Sequence, residues 1–151
     1  MNYPEHVLKG IPNPDYFYED GVLKPDLFGF SVLSEKHGDV YEDSINWEDH
    51  NDVIPFTLNQ KNKRKNDEYQ FKAGIAVISK FDLDKMRNKG YPKGYLDYER
   101  APLEDNPYHG NLLVPKNIDK HRKRTISVEL CMNVKYIVGR NGDKQDYPVS
   151  N

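Results

Sequence analysis

Apolar positions along the chain come mostly in short bursts, and only one stretch, near the C-terminus, sustains a helical period. FKAGIAVIS, residues 71–79, is a β-branched run that predicts a strand ending at Ser79. LFGFSVLS (27–34), SINW (44–47), the segment from Tyr95 to Arg100 and NLLVP (111–115) read as further strands, the last stopped by Pro115. Between them DHNDVIPFTLNQ (49–60) predicts a short helix capped by Asn51 or Asp52, with Pro55 in the first turn, where a missing N–H does little harm. A second short helix follows Ser79, with Asp82 three residues on as in a capping box and Gly90 as its stop. From about Asp119 to Val138, the residues Ile126, Leu130, Val134 and Ile137 recur at i, i+4, i+8 and i+11, one face of a long helix that Gly139 ends.

Together these elements predict an α+β fold, a small and largely antiparallel sheet packed by a long C-terminal helix and two short helices. Pro4, Pro12, Pro14 and Pro25 crowd the first 26 residues among Tyr3, Tyr16, Phe17 and Tyr18, which favours an extended arm packing its aromatics on the body. The expected organisation is an arm over 1–26, a single domain over 27–138 and a polar tail over 139–151. KNKRKNDE (61–68) reads as a charged loop.

Composition narrows the function classes. At 151 residues the chain fits one domain, and with 36% hydrophobic and 30% charged residues its core is modest, so the eleven Tyr and six Phe carry much of the buried area. A net charge of -2 predicts no generic attraction to nucleic acid or membrane; such binding would have to come from local clusters. Cys131 is the single cysteine, which excludes an intramolecular disulfide framework and fits a reducing compartment. No apolar run approaches the ~18 residues of a spanning helix, and the first residues lack the apolar core of a secretory signal. The expected location is cytoplasmic.

Candidate chemistry concentrates in EDNPYHGNLLVP, 104–115. Asp105, Asn106 and Pro107 initiate a turn, because Asp and Asn side chains bond their own backbone and proline fixes φ at the next position. Gly110 relaxes the backbone before the strand. His109 would stand at the mouth of the sheet, where Asp105 is a candidate to orient its imidazole as an acid/base group. The bland reading has His109 bonded to a backbone carbonyl beside Tyr108. A second feature is KHRKR, 120–124, at the start of the long helix: four cations oppose the helix dipole there, and with free N–H groups Lys120, Lys123 and Arg124 would make an anion clamp. The bland reading is a solvated patch, with Lys123 snorkelling over the core edge. No metal site is expected, because the histidines lack ligand spacing and one cysteine cannot build a zinc centre; Asp49, His50 and Asp52 read as caps. Cys131 falls on the apolar side of the helix and reads as inert core. Nucleotide-cradling and nucleophile-elbow motifs are missing, and no cofactor is expected.

The chain resembles a family of small uncharacterised bacterial proteins. The likeness rests on Ser44, Ile45 and Asn46, on Gly74 to Val77, on the Pro-Leu-x-x-Asn-Pro-x-His loop formed by Pro102, Leu103, Asn106, Pro107 and His109, and on Lys120 to Arg124. It spans about Leu27 to Val138, and it implies a shared fold and a bacterial source without a mechanism. From the residues themselves the leading expectation is a non-catalytic module that binds a protein partner through its aromatic arm and polar loops. The alternative is an enzyme or binding domain for a phosphate-bearing substrate, nucleotide or RNA, with His109 and Asp105 catalytic and Lys120, Lys123 and Arg124 on the phosphate. KNKRK with KHRKR, and Tyr91, Tyr95 or Tyr98 between them, would make a single-strand platform if they shared a face.

Overall fold

A computed structural model describes residues 3–88 and 95–148. In chain order its elements are β1 (His6–Gly10), β2 (Val32–Leu33), β3 (Val40–Trp47), α1 (Val53–Leu58), β4 (Lys61–Asn62), β5 (Glu68–Tyr69), β6 (Ile75–Ser79) and α2 (Lys80–Asn88). There follow β7 (Asp97–Arg100), β8 (His109–Pro115), α3 (Lys120–Met132), β9 (Val134–Val138) and β10 (Lys144–Asp146). The main sheet runs β10-β9-β6-β1-β3-β8-β7, with β2 added on β3, and every ladder among the described residues is antiparallel. An α+β fold with a mostly antiparallel sheet and three helices is therefore present. No helix among the described residues is long and apolar enough to cross a membrane.

The sheet buries its two faces differently, because successive side chains of a strand alternate. Val7, Ile45, Trp47, Ala76, Ile78, Leu112 and Val114 point one way into the larger core, where Leu130 and Cys131 of α3, Leu83 of α2 and Phe28 and Phe30 join them. Leu8, Ile75, Val77 and Val138 point the other way and meet Val53 and Leu58 of α1. All five residues of β6 are buried, which explains why that strand reads as a continuous apolar run instead of an alternating one. Helix α3 is tied to the loop before β2 by Ser127, whose hydroxyl donates to the Phe28 carbonyl at 2.6 Å. Ser79 caps α2: its hydroxyl accepts from the Asp82 N–H at 3.1 Å and donates to the Asp82 carboxylate at 2.9 Å. The predicted stop at Gly90 and the residues 91–94 before β7 lie outside the described residues.

Several expectations give way. The segment read as an arm supplies β1, the strand between β6 and β3; Tyr3, Tyr16 and Phe17 pack on the larger core, with Tyr3 4.7 Å from Trp47 and 5.1 Å from Tyr98, while Tyr18 is exposed. HVLKG places Val7 and Leu8 on opposite faces and is short enough to fit between Pro4 and Pro12, so the prolines bound a strand instead of preventing one. The segment 27–34 is a 3-10 turn over Pro25–Phe28 followed by the two residues of β2. The long helix ends at Met132, six residues early, because VKYIV is β-branched and aromatic and pairs with β6 as β9. Val134 and Ile137 are still buried, both in the larger core, because a β-bulge at Lys135 shifts the register between them. The tail contributes β10, and the Tyr147 hydroxyl accepts from the Leu23 N–H at 2.9 Å.

KNKRKNDE forms a small hairpin, with Lys61 opposite Tyr69 and Asn62 opposite Glu68. Arg140 holds it: the guanidinium donates to the Leu58 carbonyl and stacks 4.0 Å from the Tyr69 ring centre. This fixes one wall of the site described next.

Candidate functional site

β3 and β8 set the register from which the site is built. Asn46 lies opposite His109 and Ser44 opposite Asn111, so all four side chains leave the sheet on the face that α1 covers only in part. On that face opens a cavity of about 260 Å³, floored by Leu8, Gly10, Ser44 and Asn46, walled by Thr57, Gln60, Gln70 and Phe71, and rimmed by Leu103, Asp105, Asn106 and His109.

The rim is shaped by the Asp-Asn-Pro turn. Leu103 and Asn106 exchange backbone bonds, and Asn106 Oδ1 accepts from the Tyr108 N–H at 3.1 Å, the local side-chain bond expected of that turn. The other end of the same side chain donates to Asn46 Oδ1 at 2.8 Å. Asn46 Nδ2 in turn donates to Thr57 Oγ1 and to Gln60 Oε1, each at 2.8 Å. Thr57 completes the chain by donating to the Val53 carbonyl at 2.7 Å. Loop, strand and helix are locked by one buried polar network whose acceptors and donors match.

His109 is fixed at both ring nitrogens. Nδ1 lies 2.8 Å from the Ala101 carbonyl, and since a carbonyl only accepts, Nδ1 carries the proton. Nε2 is then an acceptor, 3.3 Å from the Ser44 hydroxyl. The orienting group is thus the Ala101 carbonyl, and the expected role of Asp105 passes to it; Asp105 lies on the cavity rim with its side chain exposed.

The basic helix start lies elsewhere. Lys123 reaches the Phe30 carbonyl at 3.5 Å and sits 4.8 Å above the Tyr41 ring, and Tyr41 pairs with Val114 at the other end of β8. Arg124 pairs with Asp26 at 3.4 Å across exposed surface, and Lys120 is exposed. His109 and Pro115 are about 20 Å apart along an extended strand, and Tyr41 belongs to the opposite face of the sheet. The structure separates the histidine from Lys120, Lys123 and Arg124. Among the described residues that line the cavity there is no lysine or arginine, and Asp105 is the one carboxylate.

Comparison with protein-family models, with curated proteins and with solved structures finds no match for this chain. The geometry alone carries the functional argument.

Beyond the cavity the same face is acidic. Asn111 Nδ2 lies 3.4 Å from Glu42 and 3.3 Å from Glu99, and His37 bonds the other Glu99 oxygen at 2.8 Å. Burial works to raise the Glu99 carboxyl, but the His37 and Asn111 bonds outweigh it and hold the group below the usual carboxylate range. Cys131 is buried behind α3, and desolvation pushes its thiol up to about 12, which suits inert core.

Sequence reasoning named Ser44 only for the family likeness, not as a site residue, and did not single out Gln60 or Gln70. Ser44 meets His109 only because two strands 65 residues apart share a register, a relation that no local motif records. Gln60 and Gln70 flank the charged KNKRK run, which draws attention away from them.

Proposed function

We propose that this protein binds a small, uncharged, hydrogen-bonding molecule in the cavity beside His109. The observation that carries this reading is the chemistry of the lining: amides from Asn46, Asn106, Gln60 and Gln70, hydroxyls from Ser44 and Thr57, one imidazole, and the apolar Phe71 and Leu8, with no fixed cation. Concave sites with a few convergent polar groups on apolar walls are where ligands bind, and about 260 Å³ falls just under the range of drug-sized sites, which favours a compact molecule. A phosphate-bearing substrate would need positive charge at His109, and Lys120, Lys123 and Arg124 are turned elsewhere.

The test is an amide chemical-shift titration with a panel of uncharged amides, lactams and polyols, and with phosphorylated counterparts. Shifts confined to residues 44–46, 57–60 and 103–109 with the uncharged compounds support the reading. Equal or larger shifts with phosphates alone, or shifts centred on residues 120–124, overturn it.

A protein partner is a second reading. It rests on Met132, 75% exposed, and Val128, which stand on the outer face of α3 beside His121 and Arg124. It predicts that a co-purifying partner is lost from Met132→Lys and kept by Ser44→Ala.

A further inference from the structure

We infer that Ser44 and His109 form a nucleophile–base pair, so that the cavity hydrolyses a small uncharged carboxylic ester. This rests on the reading that the cavity takes an uncharged molecule, and it assigns a reaction to it.

Three features of the pair go beyond a chance contact. The Ala101 carbonyl fixes the imidazole in the tautomer whose Nε2 lone pair faces the Ser44 hydroxyl, the same division of labour that lets a histidine orient and deprotonate a serine elsewhere. Both groups stand on adjacent strands of one sheet, Ser44 diagonal to His109 across the Asn46–His109 position, so their separation of 3.3 Å is held by backbone and not by flexible loops. That distance is slightly loose for a proton transfer, as expected before substrate is bound. Ser44 is also an exposed residue whose side chain opens into the cavity, where a strand serine needs no partner for stability.

The surroundings supply the remaining parts. The Trp47 N–H donates to the Tyr108 carbonyl of the segment that enters β8, so by alternation the backbone groups of Ser44 face away from β8 and toward β1. Pairing between β1 and β3 covers only Val7–Trp47 and Leu8–Asn46, and it ends before Ser44, whose carbonyl is instead met by Lys9 Nζ at 3.1 Å. The Ser44 N–H therefore points toward Gly10, which lies on the cavity floor under the Phe71 ring. Gln60 spends its carbonyl oxygen on Asn46, which leaves its NH₂ as the group that serves the cavity.

In the reaction Oγ of Ser44 bonds the ester carbonyl carbon as its proton passes to His109 Nε2, and the carbonyl π pair becomes the oxyanion. Collapse breaks the carbon–alkoxide bond, and the proton on Nε2 goes to the departing alkoxide, giving an alcohol and an acyl-serine. Water then adds to the acyl carbon as one of its protons passes to His109 Nε2, and collapse breaks the carbon–Oγ bond, the proton returning from Nε2 to Ser44 Oγ as the carboxylic acid leaves. No oxidant, metal or further reactant enters.

The test treats the full chain with diisopropyl fluorophosphate and with p-nitrophenyl acetate. The expected result is one diisopropylphosphoryl group on the peptide bearing Ser44, with loss of fluoride, and turnover of the ester. Ser44→Ala abolishes both, and His109→Gln slows both by about 10²-fold or more. Ser44→Cys, which keeps a nucleophile at the position, is acylated by the ester and guards against a variant that merely misfolds. An unlabelled protein, a label on another residue, or reactivity retained by folded Ser44→Ala overturns the pair. If the uncharged fragments still shift the cavity residues in that case, binding stands and the reaction falls; if they do not, both fall.

Discussion

The Asn106 side-chain amide donates to Asn46 Oδ1 at 2.8 Å, joining a turn to a strand sixty residues earlier in the chain. Both residues are about 95% buried, so removing either strands the partner's polar atom in the interior. Asn46→Ala and Asn106→Ala are each expected to cost about 1–3 kcal/mol. Urea unfolding of the two single variants and the double variant checks this, and the double should cost less than the sum, because the two changes share one bond.

Gly110 is required by a close approach. A Cβ there would stand 2.3 Å from Trp47 Nε1 and 2.5 Å from the Glu99 carbonyl, the two atoms that hydrogen-bond each other at 3.1 Å. Gly110→Ala must displace the buried indole, and a loss of about 1–3 kcal/mol follows from overpacking. The change should appear in the tryptophan emission spectrum, since Trp47 is the chain's single tryptophan.

Asp84 gives the fold an acid-sensitive limb. Burial favours its neutral form, but bonds from Lys80 at 2.7 Å and from the Tyr98 hydroxyl at 2.6 Å prevail and lower its pKa below the usual 3.8. A depressed carboxyl contributes stability that is fully present above 3.8 and is lost as pH falls through the lower folded value. Melting temperatures from pH 6 down to pH 2 should therefore fall more steeply for the wild type than for Asp84→Asn, which is less stable at pH 6 and has no such proton to take up.

Cys131 is 4% exposed and its thiol is pushed up to about 12. Labelling by a disulfide reagent at pH 8 should be slow in the native protein and fast in urea. A native rate equal to the unfolded one would show that α3 does not seal this part of the core.

Much of the architecture was legible because its signals are local. The buried run of β6, the Ser79–Asp82 cap and the turn chemistry of Asn106 each depend on a few adjacent residues. The break at Met132 was not legible, since Val134 and Ile137 continue the helical period of Ile126 and Leu130, and in the strand they share a face only because a β-bulge lies between them. β1 was hidden by the prolines on either side of it. At the candidate site His109 was visible and its partners were not, because Ala101 and Ser44 reach it across two different strand pairings. The clamp of Lys120, Lys123 and Arg124 failed on geometry: closeness in sequence across a strand means separation in space.

The position of β1 has a consequence for how the protein is made and cut. His6–Gly10 is the seam between two half-sheets, β6-β9-β10 on one side and β3-β8-β7 on the other. Removing a dozen residues at the start would not shorten an appendage; it would leave two unzipped edges facing each other. This strand has to wait for partners some forty and seventy residues further along the chain, so the sheet cannot close around it until Ile75–Ser79 has been made.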